Sequence, residues 1–196
     1  MDNKLNAFVT ADPAKCIGCR VCELACSVAH SDQSGATVGT LTAPVIPRLY
    51  LVKTPEVTVP VQCRHCEDAP CANACPVAAI TQTHHTILID ADTCIGCKTC
   101  MLACPFGAID LVPVYRGGKP VSQSALKVES QAGLRDKEWI VANKCDLCHD
   151  RDGGLACVEA CPEKALTVIY PPKDQKRRNR EAALNLLHSM KSFMGG

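Results

Sequence analysis

Sixteen cysteines in 196 residues constrain this chain more than any other feature, because they are not scattered. They form four groups of four: Cys16, Cys19, Cys22 and Cys26; Cys63, Cys66, Cys71 and Cys75; Cys94, Cys97, Cys100 and Cys104; Cys145, Cys148, Cys157 and Cys161. None is left over. Groups one and three are spaced C-x2-C-x2-C-x3-C, and groups two and four widen only the middle gap. Groups two, three and four close on Cys-Pro, whereas the first closes on Cys26-Ser27.

Grouped cysteines serve disulfides, zinc, haem or iron–sulfur clusters. Disulfides need an oxidising compartment. The N-terminus, MDNKLNAFVTADPAKC, lacks the basic stretch and apolar run of an export signal, and no stretch approaches the length of a transmembrane helix. The expectation is a cytoplasmic chain with reduced thiols and no direct membrane insertion. Zinc favours two C-x-x-C pairs set well apart; group four could pass, but groups one and three place a third cysteine too soon. Cys145-Asp-Leu-Cys148-His149 matches the haem-attachment signature, yet both its cysteines belong to a quartet. The repeated run is the ligand pattern of bacterial [4Fe–4S] ferredoxins. Since no quartet lacks a thiolate, His65 and His149 are expected to be surface or supporting residues.

Three cysteines in a short loop can wrap three corners of a cubane, while the fourth reaches the neighbouring cluster. A helical turn is expected to start at the fourth cysteine, with proline or Ser27 suited to its first position. Connection lengths pair the groups. Groups two and three are 18 residues apart, against 36 between one and two and 40 between three and four. Crossed ligation then gives four [4Fe–4S] clusters: Cys16, Cys19, Cys22, Cys161; Cys145, Cys148, Cys157, Cys26; Cys63, Cys66, Cys71, Cys104; and Cys94, Cys97, Cys100, Cys75. Pairing group one with two and three with four is the alternative.

The fold class is α+β: two ferredoxin-like 2[4Fe–4S] units, the inner inserted into the outer, with short β inserts and a C-terminal helix. The outer unit takes 8–62 and 140–172, the inner 63–112, an insert 113–139, and a docking helix 173–196. RLYLV, EVTVPV, IDLVPVY and WIVA read as strands, Gly117-Gly118 as a turn, and AITQTHHTILID as a hairpin turning at Thr83–Thr86. Pro171-Pro172 is expected to break the chain before the helix. That helix carries a stripe of Ala183, Leu187, Met190 and Met194 with Leu184 and Phe193, an apolar face suited to a partner subunit.

Twenty-one basic against twenty acidic residues do not mark a nucleic-acid binder. Neither a Walker A nor a G-x-G-x-x-G loop is present, so no organic cofactor site and no catalytic residue is legible. Lys15, Arg20, Arg64, Lys98 and Lys144 lie beside the cysteines and would offset cluster charge.

The segments ADPAKCIGCRVCELAC, CRHCEDAPCANACPVAAI, CIGCKTCMLACPFGAI and NKCDLCHDRDGGLACVEACPEKAL carry a resemblance. Over residues 8–168 the chain resembles the four-cluster ferredoxin-type electron-transfer subunits, the HycB/HydN proteins, of formate hydrogenlyase and hydrogen-dependent carbon dioxide reductase. The resemblance implies a non-catalytic wire between a formate dehydrogenase catalytic subunit and a hydrogenase subunit. It leaves room for other copies of the complex as partners through the C-terminal helix. More distantly, the chain is similar to the iron–sulfur subunits of other molybdopterin oxidoreductases, the alternative reading. An iron–sulfur sensor or nucleic-acid-binding module is favoured only by the basic run 173–180.

Overall fold

The computed structural model of the chain describes residues 5–32, 37, 39–83 and 85–194, the side chains only as far as Met190. From the N-terminus, strand β1 (Phe8–Ala11) and a cysteine loop lead into helix α1 (Val21–Ala29) and the hairpin β2 (Leu49–Lys53)–β3 (Thr58–Gln62). Helix α2 (Pro70–Asn73), the hairpin β4 (Ile80–Thr83)–β5 (Thr86–Ile89) and helix α3 (Thr99–Ala103) follow. Then come β6 (Asp110–Pro113), β7 (Tyr115–Arg116), β8 (Lys119–Pro120), β9 (Ser122–Ser130), β10 (Gly133–Glu138) and β11 (Ile140–Asn143). Helix α4 (Ala156–Glu159), β12 (Leu166–Ile169) and helix α5 (Pro171–Met194) complete the chain.

Every described ladder has two antiparallel strands. β1 pairs with β12, Phe8 opposite Ile169, so the two ends of the cysteine-bearing region lie side by side. α1 packs on α4 there, and α2 packs on α3 beneath the β4–β5 hairpin. The hairpin closes with Thr83 opposite Thr86, as its polar turn predicts; His84 of that turn lies outside the described residues. β6 pairs with β11, joining the two apolar runs across the intervening insert. The core is thin. Val9, Leu49, Ile80, Ile87, Ile109, Val141 and Leu166 are buried, together with small alanines and seven of the cysteines. A chain with so few large side chains buries too little apolar area for one broad sheet, and it wraps pairs of strands around its thiols instead.

In groups two, three and four the helical turn stands before the fourth cysteine rather than after it. α2, α3 and α4 carry the third cysteine and end by the fourth, and the prolines that follow lie in turns. The cause is proline itself, which drives the preceding residue out of the helical region; Cys104, before Pro105, is extended at φ −77 and ψ 113. In group one, Ser27 imposes no such stop, and α1 runs to nine residues with Ser27 inside it. There the Ser27 hydroxyl accepts the Ile46 N–H at 3.0 Å instead of capping a helix start.

Two further expectations change. Pro171-Pro172 does not break the chain before α5 but begins it, since the first helical turn has no N–H partners to lose. Residues 122–138 form the hairpin β9–β10, invisible in the apolar pattern because its alternation is among polar residues. Ser130 Oγ donates to the Gly133 carbonyl at 2.6 Å, and Lys127 pairs with Asp136 across it. No helix among the described residues is long and apolar enough to cross a membrane.

Candidate metal centres

The local backbone explains how each loop turns its thiols inward. In the first C-x-x-C of each group the residue before the second cysteine is left-handed: Gly18 at φ 74, His65 at φ 49, Gly96 at φ 64 and Leu147 at φ 59. Glycine is natural there. At Gly96 nothing else fits, because a Cβ would stand 2.7 Å from the Ile140 carbonyl oxygen. The three tails CPVAAI, CPFGAI and CPEKAL repeat a second device: Ala78, Gly107 and Lys164, three residues past the fourth cysteine, are left-handed. In two of them the following N–H is aimed back at the thiol, Ala108 N to Cys104 Sγ at 3.4 Å and Ala165 N to Cys161 Sγ at 3.3 Å. Three other backbone N–H groups point at cysteine sulfur: Arg48 at Cys26, His65 at Cys63 and Ala142 at Cys94, all 3.3–3.4 Å.

Cys16, Cys19 and Cys22 share one cavity with Cys161, from the far end of the chain, among Ile17, Leu51 and Leu166. Cys94, Cys97 and Cys100 share another with Cys75, among Ile80, Ile89 and Leu111. Cys157 is pushed up to about 12 by burial, with Cys26, Cys148 and Cys22 adding to the rise. Burial raises Cys145 further, and Cys157, Cys26 and Cys63 act in the same direction. Cys66 and Cys71 are raised first by burial and then by Cys63, with Cys104 contributing to both. Neutral thiols in apolar surroundings give up their protons to a metal, not to water. All-sulfur donors, walls of apolar side chains and N–H groups directed at sulfur suit iron–sulfur clusters.

A buried polar set ties group one to group four. Asp146 accepts from His30 Nε2 at 2.9 Å, from the Arg48 guanidinium and from the Cys148 N–H at 3.0 Å. Burial opposes the Asp146 charge, but His30 and Arg48 outweigh it and hold its carboxyl well below the usual range. His30 shows the reverse balance: burial works against its proton, while Asp146 and Cys26 lift it to about 10. Spacing alone could not have found Asp146, His30 or Arg48, because their meeting depends on the tertiary fold.

Of the cations beside the cysteines, Lys15 and Arg20 stand in solvent near Asp12 and Glu23. Arg64 lies 5.4 Å over the Phe8 ring, and Lys98 is exposed. Lys144 alone is buried; its ammonium donates to the carbonyls of Ile87 and, at 3.0 Å, Cys145. His149 is exposed as expected. His65 falls to the other of its two expected readings, a supporting residue: it is 1% exposed, and burial and then Lys144 lower its pKa to about 3.

Comparison with known proteins gives a consistent result. Models described as 4Fe-4S dicluster domain match residues 86–162 and 56–112, and one described as 4Fe-4S binding domain matches 13–29. Electron transport protein HydN of Escherichia coli is 43% identical over 84% of this chain and 89% of its own length. Hydrogenase-4 component A of Escherichia coli is 39% identical over 92% and 90%, and its formate hydrogenlyase subunit 2 is 36% identical over 92% and 91%.

Proposed function

We propose that this chain, which belongs to the family of 4Fe-4S dicluster electron-transport proteins that includes HydN and formate hydrogenlyase subunit 2, is a four-cluster wire between two catalytic partners. It is a non-catalytic iron–sulfur electron-transfer protein with several [4Fe–4S] clusters. Our reading adds their number, ligands and order. Cys16, Cys19, Cys22 and Cys161 hold the first, and Cys145, Cys148, Cys157 and Cys26 the second. Cys63, Cys66, Cys71 and Cys104 hold the third, and Cys94, Cys97, Cys100 and Cys75 the fourth. Groups two and three thereby form an inner ferredoxin-like unit inserted into an outer one built from groups one and four.

The observation that carries this reading is the way the thiols share cores. Cys22 packs with Cys26 and Cys157, where the first and second sets would adjoin. Cys63 and Cys104 pack with Cys145, at the seam of the second and third. Cys71 packs with Cys75, Cys94 and Cys100, at the seam of the third and fourth. Three shared cores give a linear order. The two exposed cysteines, Cys19 and Cys97, belong to the first and last sets, so the wire surfaces at both ends. A cluster bound in each set supplies one-electron transfer. The chain walls it with packed side chains, exposing only Cys19 and Cys97 of its ligands, holds its sulfurs with backbone N–H groups, and offers no group to a substrate.

By analogy with the relatives' complexes, the partners are a formate dehydrogenase catalytic subunit and a hydrogenase subunit, in the cytoplasm. Helix α5 would hold the chain in that assembly, to a partner subunit or another copy of the complex. Affinity purification of the tagged chain from its anaerobic host tests the partners. Co-purified formate dehydrogenase and hydrogenase support the proposal. A different molybdopterin reductase, or target DNA, would replace it.

A further inference from the structure

We infer that His65 donates a hydrogen bond from Nε2 to a sulfur of the cluster held by Cys63, Cys66, Cys71 and Cys104, raising that cluster's potential. The inference rests on the ligand reading above. Three observations on the chain itself point to it. His65 occupies the left-handed position that Gly18 and Gly96 fill in two sibling loops and Leu147 in the third, where glycine would cost the backbone least. Its ring is 1% exposed, out of reach of bulk water. Its Nδ1 accepts the Ile87 N–H at 2.9 Å, and a nitrogen that accepts carries no proton, so the proton sits on Nε2. That Nε2 has no partner among the described residues.

A buried N–H without an acceptor is rare in native proteins and calls for a cause. The ring is firmly placed, with Asn6 Nδ2 donating to the His65 carbonyl at 2.8 Å and the His65 N–H directed at Cys63 Sγ at 3.4 Å. It lies in the loop between two thiols of one set, where the acceptors that a bound cluster brings are sulfurs. Hydrogen bonds to cluster sulfur stabilise the more negative reduced state and are among the levers that set potentials. The competing account is a trapped water shared with Gln62, whose Oε1 is likewise buried without a partner.

His65→Asn separates the two. Asparagine tolerates the left-handed backbone, can still accept the Ile87 N–H through its carbonyl oxygen, and is too short to place a donor where Nε2 stands. In a redox titration of the holoprotein followed by electron paramagnetic resonance, one midpoint should fall and the others stay, at wild-type iron content. The expected drop is about tenfold in that cluster's reduction equilibrium, 59 mV for a one-electron couple. Unchanged midpoints with full iron would overturn the inference and favour the water. Should the variant lose iron, wild-type protein carrying histidine labelled with nitrogen-15 at ring Nε2 alone decides instead. A nitrogen hyperfine coupling at the reduced cluster supports the contact, and its absence removes it. If wild-type protein holds no such clusters, the ligand reading itself fails.

Discussion

At the scale of single residues, crossed ligation and buried charge make the sharpest claims. Cys161 lies 139 or more positions after the other thiols of its cavity, and the β1–β12 pairing brings it there. Cys161→Ala should therefore give a spectrum like that of Cys22→Ala and unlike that of Cys157→Ala. Resemblance to Cys157→Ala would mean that each group of four serves its own cluster. Lys144 makes the second claim. Among the described residues its buried ammonium bonds to carbonyls and to no carboxylate, and such a charge is costly unless an anion faces it. Anionic clusters on either side would supply that balance. Lys144→Gln should lower the midpoints of the second and third clusters, by about tenfold in reduction equilibrium (59 mV), while Lys15→Gln, altering a solvated cation, should leave all midpoints alone. Equal behaviour of the two variants would show that burial of Lys144 has no electrostatic role.

At the scale of elements, the difference between Cys-Pro and Cys-Ser is testable. Ser27→Pro should end α1 early and release His30 from Asp146, destabilising the fold by roughly 3 kcal/mol or more. Thermal unfolding of the holoprotein measures this, and an unchanged midpoint would remove the account of helix length. α5 makes the other element-scale claim. Its 24 residues would extend about 36 Å, its side chains are exposed from Gln175 to Met190, and Leu186, Leu187 and Met190 are each at least half exposed. Phe193 and Met194 of the expected stripe lie beyond the described side chains. Removing residues 173–196 should preserve iron content and visible spectrum while the complex falls to smaller species in sedimentation. Lost clusters, or a complex of unchanged size, would refute a docking role. Much of this level was legible in the sequence, because cysteine spacing and the apolar runs of β2–β6 and β11 are local signals. The helix that ends by the fourth cysteine in groups two to four, the polar β9–β10 hairpin and the proline-led start of α5 were not. Each depends on a backbone preference or cross-strand pairing that apolar periodicity does not record. His65 and Asp146 escaped for a related reason: burial of a polar side chain is a property of the packed fold.

At the scale of the whole molecule, the sequence of shared cores is what would make a wire of the separate sites. A thin core built around thiols also implies that the clusters are structural as well as functional, since they fill space that large side chains leave open. The central claim is four clusters ligated by sixteen thiols, each taking one electron. Its most direct test is a reductive titration of the anaerobically purified chain, combined with iron and acid-labile sulfide analysis. The account predicts about sixteen iron, about sixteen sulfide and about four electrons per chain. Zinc in place of iron, or full occupancy with only about two electrons taken up, would contradict it.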